Sequence, residues 1–200
     1  MKPQRRREKR NDAMKPDHRR LFFALWPTEA VRRTLRALVE ESTPSLGGQP
    51  VPAENLHVTL AFLGAVDGAR QSCLEKAAGQ IDVPPFQLRF DHLGSFPRAR
   101  ITWSGVSETP PALLSLVAEL GRGVAGCGLE PERRPFTPHV TLARKAGKPV
   151  RNIPHAPVEW PVEGFCLAES LTLPTGARYR VLRHWRLGGQ GRCCLRRNRD

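Results

Sequence analysis

The 200-residue chain is expected to fold as an α+β protein built from two related halves. Three observations point there. Its apolar runs come in the order strand, helix, strand, helix, strand, strand, helix, strand, strand, strand, with no βαβ run suited to a parallel sheet. The tetrapeptide His57-Val58-Thr59-Leu60 returns unchanged as His139-Val140-Thr141-Leu142, 82 residues later. The 19 prolines and 17 glycines break the chain into many turns and short elements.

Taken in order, Arg20 to Trp26 is a compact apolar and aromatic run that reads as a buried strand closed by Pro27. Thr28 then caps a helix whose apolar face is Val31, Leu35, Leu38 and Val39. Ser45 to Pro52 is a Gly/Pro loop. Leu56 to Leu63 is the strand carrying the first motif, ending at Gly64. Ala69 to Ile81 gives a weaker helix with Leu74, Ala77, Ala78 and Ile81 on one side. Strands at Phe86–Leu93 and Arg100–Val106 flank a turn around Gly94 to Pro97. Thr109-Pro110 opens a third helix, where proline's missing N–H costs nothing, and Leu113, Val117, Leu120 and Val124 line its buried side. The second motif follows Thr137-Pro138. Strands near Phe165–Leu173 and Tyr179–Leu187 end the pattern.

Composition bounds the function. The net charge of +13 sits mostly at the ends: residues 1–20 contribute +6 and residues 188–200 contribute +3. We therefore expect residues 1–19 and 188–200 to be disordered basic tails around a single domain at 20–187. Such tails attract phosphate backbones, and equally serve as solubilising ends. No stretch approaches eighteen consecutive apolar residues, and no signal peptide is recognisable, so a soluble cytoplasmic protein without a membrane partner is expected. Cys73, Cys127, Cys166, Cys193 and Cys194 show no CxxC spacing and are expected to be free thiols. No Cys/His cluster has zinc-like intervals, so neither metal nor cofactor is expected.

The repeated motif carries the chemistry. One HVTL is expected by chance roughly twice in a thousand chains of this composition, so an identical pair needs a reason. On a strand, side chains alternate, so His57 and Thr59 share one face while Val58 and Leu60 anchor the other. His139 and Thr141 repeat this against Val140 and Leu142. Facing each other, the copies present two imidazoles and two hydroxyls to one bound group. Histidine titrates near neutrality, so one serves as general acid to a leaving oxygen and the other as general base to water. Threonine hydroxyls suit the oxygens where negative charge builds on a phosphate diester. A lone strand histidine is more often a hydrogen-bonded structural residue, which is the expectation for His92, His155 and His184. Phe22, Trp26 and Phe62 offer faces on which a base can stack, with core packing as their commoner fate.

From Arg20 to about Leu187 the sequence resembles the two-histidine (2H) phosphoesterases, among them the RNA 2′,3′-cyclic phosphodiesterases once called 2′-5′ RNA ligases. The landmarks are Arg20 to Leu25, Asn55 to Leu60 with Phe62-Leu63-Gly64, Phe136 to Arg144, and the closing Tyr179 to Trp185 strand. The resemblance implies a bilobal fold, each lobe an antiparallel sheet with outer helices, and an active site in the central cleft. It implies metal-independent opening of a terminal RNA 2′,3′-cyclic phosphate to a 2′-phosphate, and a monomer is the expected state. His57 would be the proton donor and His139 the proton acceptor, with Thr59 and Thr141 holding the phosphate. Arg144 matches an arginine after the second motif, but it lies an odd number of residues from His139. Strict alternation would point it away unless the strand ends or bulges. The motifs are locally identical, so sequence alone does not say which half donates. Alternatives are 2′-5′ ligation by the same site run backwards, action on a small cyclic nucleotide, and a non-catalytic RNA-binding module.

Overall fold

The computed structural model describes residues 18–174 and 176–189. The elements are β1 (Arg19–Leu25), α1 (Glu29–Leu46), β2 (Gln49–Pro50), β3 (Val58–Val66), α2 (Gly68–Ala78), β4 (Phe86–Phe96), β5 (Ile101–Val106), α3 (Pro111–Gly126), β6 (His139–Arg144), β7 (Ile153–Val162), β8 (Gly164–Leu173) and β9 (Gly176–Arg186). Short 3-10 turns lie at Ala53–Asn55 and Pro97–Ala99. Most of both expected tails, with Cys193 and Cys194, falls outside the described residues; Arg19 belongs to β1.

The strands pair in the order β7-β4-β5-β6-β3-β1-β8-β9, with β2 alongside β6, and every pairing is antiparallel. This is the expected α+β architecture, with one detail the sequence did not offer. The two four-stranded halves are joined into one curled sheet, and β3 and β6 meet at a single pair, Val58 with Val140. Those valines occupy the same place in the two motifs, so an approximate two-fold axis passes between them. The halves are also interleaved. β4, which follows the first motif strand, joins the second half; β8 and β9, which follow the second, join the first.

Local chemistry accounts for the elements. Thr28 caps α1, its hydroxyl accepting from the Val31 N–H at 3.4 Å, and Val31, Leu35, Leu38 and Val39 are all buried as their spacing requires. The helix runs to Leu46, further than the Gly/Pro loop suggested, carrying Pro44 in its last turns. Asp67 caps α2 by accepting from Arg70 N–H at 2.8 Å. In α3 the buried stripe is Leu113, Leu116, Leu120 and Val124, so Leu116 takes the fully buried place expected for Val117. The β7 strand was not expected, because Pro154, Pro157 and Pro161 argue against a ladder. It forms because it lies at the sheet edge, where a missing N–H can face away from the neighbour.

The expectation of free thiols is corrected at one pair. Cys73 in α2 and Cys127 at the end of α3 form a disulfide that closes a separation of 54 residues, while Cys166 is free and buried. Neither cysteine's sequence spacing signals this, because the contact arises only when α2 packs on α3. Loop-closure entropy at this separation predicts that reduction, or Cys73→Ser, lowers the unfolding free energy by about 2–4 kcal/mol. The check is a denaturation midpoint with and without reductant; equal midpoints would show that the bridge contributes nothing.

Candidate active site

Helices cover one face of the sheet, burying Val58, Leu60, Val140 and Leu142 in the main core. His57, Thr59, His139 and Thr141 are partly exposed on the other face. Antiparallel register around Val58 and Val140 sets the backbone of His57 level with Thr141, and that of Thr59 level with His139. All four polar residues expected from the repeat are thus brought to one patch at the pseudo-two-fold axis.

Each imidazole is held in the same way. His57 Nδ1 lies 2.7 Å from the Asn55 carbonyl oxygen, and His139 Nδ1 lies 2.7 Å from that of Thr137. A carbonyl only accepts, so Nδ1 carries the proton in both rings and Nε2 is left for chemistry. In each case the partner is two residues upstream of the histidine. Asn55 is fixed in turn, its side-chain Nδ2–H donating to the Ala177 carbonyl at 2.8 Å. Thr137 precedes a proline, which favours an extended backbone there. At rest His57 Nε2 also lies 3.0 Å from the Thr59 hydroxyl.

Aromatic rings surround both histidines. Trp26 stacks on His57 at 5.6 Å and 12°, with Phe22 and Tyr179 each 5.1 Å away. Phe96 meets His139 edge-on at 5.0 Å and Trp103 lies at 6.1 Å. Burial disfavours the charged imidazole. It lowers His57 from 6.5 to about 4, with the charge of Arg144 and the neighbouring His139 adding to the fall. Burial lowers His139 as well, opposed by its hydrogen bond to Thr137.

The orientation of Arg144 is resolved by a bulge. Across β5 and β6, Trp103 pairs with Thr141 but Thr102 pairs with Ala143, leaving Leu142 as an extra residue. Leu142 and Ala143 are both buried, and alternation restarts with Arg144 exposed on the side of His139 and Thr141. The first half repeats the device, with Ala24 opposite Thr59, Phe23 opposite Ala61, and Leu60 extra. The two motifs therefore correspond through a fifth residue, Ala61 and Ala143, and diverge at the sixth, Phe62 and Arg144. Phe62 is 66% exposed, the most exposed of the large apolar side chains among the described residues, with its ring 6.4 Å from that of Phe22. Phe22 packs among Ala24, Cys166 and Ala168 in a small second cluster that Trp26 and Tyr179 join.

Sequence reasoning missed Trp103, Tyr179, Phe96 and Asn55, because strand pairing rather than spacing brings them to the histidines. Asn55 and Thr137 stood at matching offsets before each motif, the one signal available. His92 and His155 are hydrogen-bonded as expected, to Asp91 and Ser104, each at 2.8 Å. Among the described residues no group of three His, Cys, Asp or Glu is placed to hold a metal ion. A small apolar cavity between α2, α3 and Phe23 lies under the helices and holds no histidine.

Two imidazoles on symmetry-related strands, each tied through Nδ1 to a backbone carbonyl and sharing one sheet face with two threonines, are the arrangement of a two-histidine phosphoesterase. The chain belongs to the 2′-5′ RNA ligase superfamily, whose family model matches residues 26–172. It is 36% identical over 170 residues to an RNA 2′,3′-cyclic phosphodiesterase of Escherichia coli strain K12, covering 84% of this chain and 96% of that one. A Thermus thermophilus protein of the same description is 35% identical over 191 residues, covering 86% of this chain and 91% of its own. The crystal structure of E. coli LigT in apo form superposes with a TM-score of 0.80 at 34% identity, covering 86% of this chain and 99% of LigT. LigT complexed with 3′-AMP gives 0.79 at 35% identity, with the same coverage.

Two predictions follow from the geometry. A methyl group at Gly94 would run into the Trp103 ring, so Gly94→Ala should cost about 1–3 kcal/mol and displace Trp103 from His139, read by thermal unfolding and tryptophan fluorescence. In an NMR titration, His57 should stay neutral until the pH falls to about 4, and His139 until it falls below 6.5. Removing a positive neighbour favours the imidazolium, so Arg144→Gln should raise the His57 value; no movement would place Arg144 too far away to matter.

Proposed function

We propose that this chain hydrolyses terminal RNA 2′,3′-cyclic phosphates to 2′-phosphates, with His57 as proton donor and His139 as proton acceptor. The observation that carries the reading is the matched pair of imidazoles, each fixed through Nδ1 to a carbonyl two residues upstream. The relatives' described activity and the 3′-AMP complex of LigT support the substrate class.

The site's own residues suffice for the steps. His139 Nε2 takes a proton from water as its oxygen bonds to phosphorus. The bond from phosphorus to O3′ breaks, and His57 Nε2–H delivers the proton that makes the 3′-hydroxyl. Charge builds on the non-bridging oxygens, toward which the hydroxyls of Thr59 and Thr141 donate. Arg144 supplies a positive charge on the same face, worth most where water is excluded. In the free protein His57 is neutral and the Thr59 hydroxyl donates to its Nε2. An anionic phosphate favours the imidazolium and draws that hydroxyl to itself, so substrate binding readies the donor.

The protein works as a monomer in the cytoplasm under this proposal, where RNA ends arise. No helix among the described residues is long and apolar enough to cross a membrane. Running the site backwards, with a 5′-hydroxyl in place of water, gives 2′-5′ ligation; abundant water favours hydrolysis. The convergence of all four polar motif residues argues against a purely binding role.

The test is product analysis of a short RNA ending in a 2′,3′-cyclic phosphate, incubated in chelator. Wild type should yield a 2′-phosphate, while His57→Ala and His139→Ala should each lose about 10²–10⁴-fold in kcat. Thr59→Val and Thr141→Val should lose less. A 3′-phosphate product, or full activity in either alanine variant, would overturn the assignment.

A further inference from the structure

The fifth residue after each motif histidine, Phe62 or Arg144, breaks the symmetry of the site, and the charges around it break it further. Arg144 ends β6, and its cross-strand partner Ile101 begins β5. Arg100 and Lys145 therefore stand opposite each other just beyond the last ladder pair. Both adopt left-handed backbone, with φ of 53° and 54°, a conformation that costs a residue with a side chain about 1 kcal/mol or more. The Arg100 side chain fixes this corner, donating from Nε to the Ala146 carbonyl and from Nη2 to the Lys145 carbonyl, each at 3.3 Å. Arg98 sits in the turn between β4 and β5, two residues after Phe96, whose ring lies against His139.

The four cations Arg98, Arg100, Arg144 and Lys145 are exposed, and among the described residues none is paired with a carboxylate. The first half is partly balanced: Glu169 meets both Arg19 and Arg180, at 3.9 and 2.7 Å, and Glu75 meets Arg183 at 2.7 Å, while Arg20, Arg178 and Arg186 are spread along β1 and β9. What sets the corner apart is that four unpaired cations cluster there beside the second motif, two of them in left-handed backbone. A solubilising surface charge needs no such construction.

We propose that this corner binds the phosphodiester backbone of the nucleotides 5′ to the cyclic phosphate, so that the protein prefers oligonucleotide ends to mononucleotides. The inference rests on the proposed reaction and sharpens its substrate. It follows from the direction of the chemistry. When O3′ is the leaving oxygen, the ribose lies toward the proton donor, and C4′ and C5′ continue from C3′ on that side. In the β3–β6 register Arg144 lies on the His57 side of the Val58–Val140 pair, and its charge reaches His57. With His57 as donor, the 5′ chain leaves the site toward Arg144 and then the corner. Arg98 and Lys145 neutralise phosphates there, and Arg100 holds the corner in shape.

The experiment compares adenosine 2′,3′-cyclic phosphate with a hexanucleotide ending in the same group, for wild type, Arg98→Gln and Lys145→Asn. Asparagine tolerates the left-handed backbone at 145. Wild type should favour the hexanucleotide in kcat/KM. Each variant should lower that preference about three- to tenfold, leave the mononucleotide unchanged, and reduce the slope of log kcat/KM against log salt for the hexanucleotide by about 1. Unchanged preference in both variants, or equal losses on both substrates, overturns the proposal. Absence of turnover on either substrate by wild type would instead sink the parent reading. Fluorescence-anisotropy binding of a labelled hexanucleotide then still decides the corner, through the same change or constancy of salt slope.

Discussion

Everything at the site depends on one backbone pairing, Val58 with Val140. It is the only ladder contact between the two motif strands, yet it sets which residues stand beside which. Pairing period is two, so a slip of one residue would put the two histidines on opposite faces, one of them in the helix-covered core with its valine turned outward. Two fully buried valines at the crossing penalise that slip heavily. The bulges at Leu60 and Leu142 follow the pairing within a few residues on each side. Leu142 and Ala143 are both buried, Leu60 is buried with Ala61 partly so, and the chain then returns to the open face, which is how Phe62 and Arg144 come to flank the histidines.

Two opposing effects act on those histidines. Aromatic burial fixes the rings and strengthens their electrostatics, but it makes a charged imidazole costly. The hydrogen bonds to Asn55 and Thr137 offset part of that cost and choose the tautomer. The balance is unequal: His57, more enclosed and nearer Arg144, is held lower. Near-perfect sequence symmetry therefore yields a chemically asymmetric pair. The difference arises from residues outside the repeated motif.

Much of this was legible in the sequence, for definite reasons. The repeat announced the duplication, and alternation placed His57, Thr59, His139 and Thr141 on one face. Helix faces followed from spacing, except that Leu116 displaced Val117. The β7 strand was hidden, since prolines at 154, 157 and 161 are acceptable only to a strand with an unpaired side, which is a fact of topology. Arg144 could not be oriented because a bulge is invisible in residue types alone. Trp103, Tyr179 and the Cys73–Cys127 bridge depend on contacts between segments far apart in the chain.

A curled sheet that does not close into a barrel leaves two open borders, here β7 and β9. Such borders invite another chain to add a strand, the usual route to aggregation. The prolines of β7 deprive an incoming strand of donors, and Arg178 and Arg186 along β9 make a second copy of the same border electrostatically unwelcome. The residues that obscured one strand from the sequence are thus the ones that make the β7 border a poor template for an added strand.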